Sequence, residues 1–185
     1  MPRTRDLDYY QRLLETVQVL PQKRRTINIA RARVQANAGP YHEAEALTGV
    51  PWLLIGALHY RECGCRMSRG LHNGQRWDRV TTLVPKGRGP FSTWTDAALD
   101  ALVQARMAGH ADGHWTMPRM LRAAEQYNGW GYCYRDKPSP YIWNWTNHGV
   151  GAGYYTADGK YDPDAQNKQA GVAALLKLAG SGVVI

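Results

Sequence analysis

One glutamate, Glu62, lies among apolar residues at helical spacing. Leu54, Ile55 and Leu58 precede it by steps that place all four side chains on one face of a helix. We expect burial on this apolar face, together with the negative end of the helix dipole just before Gly64, to raise the pKa of the carboxyl group. A carboxylic acid that is still protonated near neutral pH can act as the general acid in glycoside cleavage.

Glu62 has no second carboxylate beside it in a recognisable motif. The nearest downstream acid is Asp78, so the two-carboxylate arrangement of most glycosidases is not secured. A water held by neutral groups such as Thr81 or Thr82 can complete a hydrolysis, whereas attack by a hydroxyl of the sugar itself gives an anhydro-sugar. In the simpler structural alternative, Glu62 only pairs with a neighbouring cation such as Arg61 at a frayed helix end.

The string HYRECGCRMSRGLHNG, from His59 to Gly74, contains this glutamate. It resembles the catalytic segment of a family of phage and prophage lysozyme-like proteins, which reads HYRES followed by LHNG. Cys63 stands where that family usually has Ser. The resemblance covers most of residues 47–178 and continues, in the same order, through TTLVPKGRGPF from Thr81, YNGWGY from Tyr127, SPYIWNWTNH from Ser139 and ADGKYDPDA from Ala157.

The resemblance implies a mainly α, lysozyme-like fold, related to goose-type lysozymes and lytic transglycosylases, with a small β-hairpin. We expect a single catalytic domain over residues 1–185, in which N-terminal helices in residues 1–49 pack on a core of residues 50–180. The implied protein is an endolysin that cleaves the β-1,4 bond between N-acetylmuramic acid and N-acetylglucosamine, with Glu62 as general acid. A lytic transglycosylase, which leaves a 1,6-anhydro product, is the alternative.

Further site residues come from the same resemblance. AAEQYNGWG, from Ala123 to Gly131, is similar to the Ala-x-x-Tyr-Asn element of lytic transglycosylases and goose-type lysozymes, which implies that Tyr127 and Asn128 line the cleft near Glu62. In the alternative, YNG is only a helix end with a buried tyrosine. The expected substrate-binding residues are Tyr127, Asn128, His72, Asn73, Thr81, Thr82 and Trp130.

Composition limits the other classes of protein. No stretch approaches the roughly 20 apolar residues of a membrane-spanning helix, and the N-terminus lacks the apolar core of a secretory signal. We therefore expect a soluble protein. The resemblance to endolysins implies a monomer that is made in a bacterial host's cytoplasm and that a holin releases to the cell wall in the periplasm. Its partners are the glycan strands of peptidoglycan and, through a net charge of +8, the anionic outer-membrane surface.

Three rival interpretations use other residues. A nucleic-acid-binding module would use the Arg-rich segment 23–33, but it leaves Glu62 and its motif unexplained, so we expect no nucleic-acid partner. A lysozyme-like fold that binds glycan without cutting it is the second rival. Zinc ligation by His59, Cys63, Cys65 and His72 is disfavoured by the Cys-x-Cys spacing, and we expect neither a metal nor a cofactor.

The elements that position these residues follow from periodicity and capping signals. We predict a first helix that begins near Leu7 and another that begins at Pro51 and ends at Gly64. A third follows the capping box of Thr93 and Asp96, and a fourth runs from Thr116 to the Asn128–Gly129 break. A short β-like run at 79–84 predicts a small hairpin, and Asp158–Gly159 predicts a tight turn. Asp162–Pro163 is expected to open the last helix. The three cysteines are too few for a disulfide framework, although Cys65 and Cys133 remain a possible pair.

Overall fold

A computed structural model describes residues 4–108, 114–151, 153–157 and 159–179. Within these residues the chain is mainly helical, as predicted, with eight α-helices and one small antiparallel sheet of two strands. The helices are α1 (Leu7–Thr16), α2 (Arg24–Ala36), α3 (Ala38–Thr48), α4 (Trp52–Cys63), α5 (Trp94–Gln104), α6 (Met117–Asn128), α7 (Pro140–Trp143) and α8 (Val172–Ala179), and the strands are β1 (Tyr154–Ala157) and β2 (Lys160–Asp162).

The chain divides into two compact units. Unit 1 contains residues 1–28 and 116–185, and unit 2 contains the continuous segment 29–115. The predicted site residues are divided between them, with Glu62, His72, Asn73, Thr81 and Thr82 in unit 2 and Tyr127, Asn128 and Trp130 in unit 1. No helix in the described parts of the chain is both long and apolar enough to cross a membrane.

Unit 1 is built around α6. Helix α1 packs on α6, and α6 in turn contacts α7 and α8. The amphipathic first helix is confirmed: its side-chain cap Asp6 accepts a hydrogen bond from the Tyr9 backbone, and Tyr10 is fully buried. The apolar face predicted for α6 is also buried, and the core of the unit includes Tyr10, Leu121, Ala124, Ile142, Trp143 and Val172.

Unit 2 contains the helices α3, α4 and α5. Helix α3 packs against both α4 and α5. Helix α4 can lie close to Val34 of α2 and Tyr41 of α3 because residue 56 is a glycine. A Cβ at this position would be 2.4 Å from Cγ1 of Val34 and 3.0 Å from the ring of Tyr41. The predicted ends of α4 are confirmed, since it begins after Pro51 and stops at Gly64, whose φ of 68° is left-handed. The Thr93–Asp96 capping box at the start of α5 is confirmed as well.

Two predictions of local structure are wrong. Residues 79–84 form no strand, because side-chain amides rather than a neighbouring strand satisfy their backbone: Gln75 accepts from the N–H groups of Thr82 and Leu83. Among the described residues the hairpin is formed by β1 and β2 instead, with Tyr155 opposite Tyr161. Asp158, expected in its turn, lies outside the described residues.

The last helix starts at Val172 rather than at Asp162–Pro163. The Asp162 side chain accepts hydrogen bonds from the N–H groups of Asp164 and Ala165, which closes a local turn in place of a helical one. Asn167 closes a similar local turn, because its side chain accepts a hydrogen bond from the N–H of Gln169. Helix begins only where the apolar sequence of α8 supplies a face to bury.

Candidate active site

Glu62 lies at the penultimate position of α4, in an unusual setting for a carboxylate. Every residue of α4 from 54 to 61 is buried, as is Cys63, whereas Glu62 is half-buried. The predicted apolar face of Leu54, Ile55 and Leu58 is buried, and so are the other faces of α4 between residues 54 and 61, so burial is not confined to one stripe. Glu62 is the one position between Leu54 and Cys63 through which this helix presents a side chain to solvent.

The loop after α4 folds back on the end of the helix. Gly64 donates to the carbonyl of Tyr60, and Nε of Arg66 donates to the carbonyl of Cys63 over 2.9 Å. Gly74 comes closest: a Cβ on this residue would be 2.6 Å from the carbonyl oxygen of Glu62. The two ends of the HYRE and LHNG strings, which are 12 residues apart in sequence, are thus in direct backbone contact.

His59 holds the same loop from inside the unit. Its side chain is fully buried, and Nε2 donates to the carbonyl of Arg69 over 3.0 Å, since a carbonyl can only accept. Nδ1 then accepts from the hydroxyl of Tyr41 at 2.8 Å. Burial lowers the pKa of His59 to about 4, although hydrogen bonds to backbone carbonyls act to raise it. Both ring nitrogens are in use, so His59 is a neutral part of the core.

His72 is placed differently from a residue that contacts a ligand. Only 3% of its side chain is exposed, its ring stacks on Phe91 with centroids 5.4 Å apart, and Nε2 is 2.7 Å from a carboxylate oxygen of Asp100. Arg88 pairs with the same carboxylate through Nε at 2.9 Å. Burial would raise the pKa of Asp100, but the hydrogen bonds from Arg88 and His72 outweigh it and lower that pKa. This geometry favours a structural role for His72.

Asn73 connects the two loops that follow α4. Its side-chain N–H donates to the carbonyl of Leu83 over 3.1 Å, while its oxygen accepts from the N–H of Gln75. Gln75 in turn donates to the hydroxyl of Thr82 over 2.9 Å. The turn that touches Glu62 is therefore fixed to residues 82–84 by amide side chains.

The two threonines considered for holding a water have different surroundings. Thr81 is buried, and its hydroxyl donates to the carbonyl of Pro85 and accepts from the N–H of Arg88. Its hydrogen-bonding capacity is used inside its own loop. Thr82 is exposed, and its hydroxyl keeps its own proton to donate. Thr82 is the better placed of the two to bind a water or a sugar hydroxyl.

The carboxylates between residues 64 and 100 are all engaged in structure. Asp78 pairs with Arg76, which lowers the pKa of the carboxyl group through the hydrogen bond. Asp96 completes the capping box of α5, and Asp100 belongs to the cluster with His72 and Arg88. This segment therefore holds no uncommitted second carboxylate, and Asp78 in particular is bound to its neighbour.

Unit 1 carries the other expected contacts at the end of α6. Asn128 is exposed as the last residue of the helix, and Tyr127 is half-buried one position earlier. The chain turns at Gly129, whose φ is 90°, and the half-buried indole of Trp130 lies 5.7 Å from the guanidinium of Arg122. An exposed amide and an indole on consecutive turns suit a polar, ring-shaped ligand.

Sequence reasoning missed the most deeply buried carboxylate. Glu125 is fully buried, with one oxygen 2.9 Å from the guanidinium of Arg5 and the other accepting from the hydroxyl of Tyr10 at 2.7 Å. Burial raises the pKa of Glu125, although Arg5 and Tyr10 oppose it. The signal was present, because Glu125 follows Leu121 by four residues on the buried face of α6.

The cysteines are not arranged for a metal or a disulfide. All three are buried free thiols, and burial raises the pKa of Cys63 and of Cys65 to about 11. Cys65 and Cys133 therefore do not form the disulfide that the sequence left open. Within the described residues, no group of three or more His, Cys, Asp or Glu side chains is placed to hold a metal ion.

Comparison of the chain with known protein families, with curated proteins and with solved structures finds no match in any of the three.

Proposed function

We propose that this chain is a peptidoglycan-cleaving muramidase of the endolysin type, with Glu62 as the acid that protonates the glycosidic oxygen between N-acetylmuramic acid and N-acetylglucosamine. The observation that carries this proposal is the placement of Glu62, which is the one residue of α4 between Leu54 and Cys63 that is not buried. A rigid helix end fixes a carboxyl group more closely than a loop can, as an acid that must meet one oxygen atom requires.

The contact between Gly74 and Glu62 supports the same proposal. The family that the HYRECGCRMSRGLHNG string resembles pairs its glutamate with a downstream LHNG, and here these two elements meet through the backbone. Asn73 belongs to that turn and Thr82 is tied to it through Gln75, which makes Thr82 our candidate for a contact near the acid. Tyr127, Asn128 and Trp130, all in unit 1, are proposed as sugar-binding residues on the strength of the YNGWG resemblance alone.

A lytic transglycosylase is the second candidate, and one observation favours it. Each carboxylate between residues 64 and 100 is already engaged with a cation, a histidine or a helix cap. Without a second carboxylate to activate water, attack by the sugar's own hydroxyl completes the reaction and leaves a 1,6-anhydro end. Mass spectrometry of the released fragments separates the two reactions, because the anhydro product is lighter by one water.

The decisive experiment compares two glutamate variants on purified sacculi. Glu62→Gln should abolish the release of glycan fragments while leaving the protein folded, because it replaces the acidic group by an amide of nearly the same shape that cannot supply the proton. Glu125→Gln is the matched control, which should lose stability but keep turnover at a temperature where it is folded. Undiminished release by Glu62→Gln rejects the proposal. Binding of sacculi by wild type without any release identifies a glycan-binding protein instead.

The proposed place of action is the periplasm of a bacterial host after release by a holin. The net charge of +8 would also favour approach to an anionic outer membrane. Titration of the protein with duplex DNA tests the rival basic module at the same time, since tight binding there with inert sacculi would favour nucleic acid as the partner.

A further inference from the structure

Unit 1 contains a cavity that the proposed reaction does not use. Its volume is about 640 Å³, large enough for a ligand of several residues. Three segments of the chain enclose it, and its polar and aromatic lining includes Lys23, Asn144, Trp145, Asp164, Gln166 and Lys168.

The walls of this cavity are fixed by hydrogen bonds between the segments. The N–H of Leu20 donates to the carbonyl of Trp145 over 3.0 Å, next to an isolated antiparallel bridge between Val19 and Thr146. On the other side, the amide of Asn144 donates to the carbonyls of Asn167 and Gln169 at 2.8 and 2.6 Å. The backbone segments that form the cavity are therefore fixed to one another before any ligand arrives.

The charges of the lining indicate the chemistry of the ligand. Two lysines, Lys23 and Lys168, line the cavity against one carboxylate, Asp164. Nζ of Lys23 lies over the ring of Trp145, 5.1 Å from its centroid, and that indole is only 8% exposed. With so little of its surface exposed, the Trp145 indole offers little area for stacking against a sugar. The cavity instead offers cations for carboxylates and amide side chains for peptide groups.

We propose that this cavity binds the stem peptide of peptidoglycan, with Lys23 and Lys168 pairing its carboxylates. The inference rests on the proposed function, since it names a second part of the same polymer as the ligand. Stem peptides carry more carboxylates than amines, and a diaminopimelate residue adds one ammonium group that Asp164 can pair. Gln166 offers an amide donor and an amide acceptor to the peptide backbone, whereas both N–H groups of Asn144 are already donated within the cavity wall.

The test uses the full chain and the soluble tetrapeptide L-Ala-γ-D-Glu-meso-diaminopimelate-D-Ala, titrated by calorimetry. The Lys23→Gln/Lys168→Gln variant should bind it about tenfold or more weakly than wild type, since it loses two charge-assisted hydrogen bonds. Lys86→Gln/Lys160→Gln is the matched control, because it removes the same charge from exposed positions outside the cavity lining and should bind as wild type does. Equal affinity of the cavity variant, or no binding by wild type, overturns the proposal.

Two further measurements separate this proposal from the proposed function. On intact sacculi the cavity variant should release fragments several-fold more slowly than wild type, whereas on sacculi stripped of stem peptides by an amidase the two should be equal. A slower rate on both substrates, or a loss of affinity for chitotetraose in place of the tetrapeptide, means that the cavity binds glycan and overturns the proposal. If fragment release depends on Glu62 but the tetrapeptide does not bind, only the cavity proposal is rejected. If the tetrapeptide binds but fragment release does not depend on Glu62, only the assignment of Glu62 as the acid is rejected.

Discussion

The backbone of Gly74 touches the carbonyl oxygen of Glu62 so closely that a Cβ on residue 74 would lie 2.6 Å from that oxygen. The φ of Gly74 is also left-handed, at 70°. Only glycine satisfies both conditions, because any other residue adds a side-chain carbon and resists this backbone conformation. The position of the turn after α4 is thus linked to the position of the residue that carries the proposed acid.

Gly74→Ala tests that link. We expect the free energy of unfolding to fall by about 2–4 kcal/mol, from left-handed strain plus overpacking. Turnover on sacculi should fall by up to about a hundredfold at a temperature where the variant is folded, because the end of α4 must shift. Urea unfolding and fragment release measure the two effects.

Gly64→Ala is the control for this variant. Gly64 has a similar φ of 68°, but nothing lies within 4 Å of a Cβ built there. It should cost only about 1 kcal/mol of stability, the strain alone, and leave turnover near the wild-type level. Equal effects of the two substitutions would show that contact with Glu62 has no special importance.

The buried pair of Arg5 and Glu125 predicts a strong asymmetry between variants. Glu125→Gln leaves the buried guanidinium without its anion and should lower the free energy of unfolding by about 3–5 kcal/mol. Tyr10→Phe removes one hydrogen bond to the same carboxylate and should cost about 1–3 kcal/mol. Replacing both partners, Arg5→Met with Glu125→Leu, should cost much less than Glu125→Gln alone. Additive losses in this double variant would contradict the account of the pair.

His59 predicts a dependence of stability on pH. Its pKa is about 4 in the folded protein against 6.5 in the unfolded chain, so between these values only the unfolded chain takes up the proton. The free energy of unfolding should therefore be fully retained above pH 6.5 and fall by about 3 kcal/mol as the pH drops to 4. Urea unfolding at several pH values should show that His59→Gln loses this part of the pH dependence of the free energy of unfolding. His42→Gln, at an exposed histidine, should keep it.

The cluster of His72, Asp100 and Arg88 predicts a structural phenotype. His72→Gln should lower the free energy of unfolding by about 1–2 kcal/mol, since it loses a hydrogen bond to a charged group and the stacking on Phe91. Asp100→Asn should cost a similar amount, and the double variant should lose less than the sum of the two. KM for solubilised glycan should stay unchanged. A raised KM with unchanged stability would instead make His72 a direct sugar contact, as the sequence suggested.

Helix ends were the most predictable part of this structure. Pro51, Gly64 and the Thr93–Asp96 box act within a few residues of themselves, so their effect can be read without knowing the rest of the fold. The lost strand at 79–84 shows the limit, because the partner of its backbone is the side chain of Gln75, which no strand pattern reveals.

The candidate site was predictable only in part for a related reason. Periodicity placed Glu62 on an apolar face, and it would equally place Glu125 there, although that residue was not singled out from the sequence. The partner of Glu125 is Arg5, 120 residues away in sequence, so no local pattern reveals this buried pair. Likewise the burial of His72 depends on Asp100, 28 residues downstream, so a loop histidine that resembled a ligand contact lies inside a packed cluster.

The division of the chain also has a consequence for biosynthesis. Unit 2 is one uninterrupted segment, 29–115, whereas unit 1 is assembled from residues 1–28 and 116–185. The segment around α4 can therefore fold while the ribosome is still translating, but α1 must wait for α6 to emerge before Arg5 meets Glu125. The first helix to be made is thus among the last to be packed.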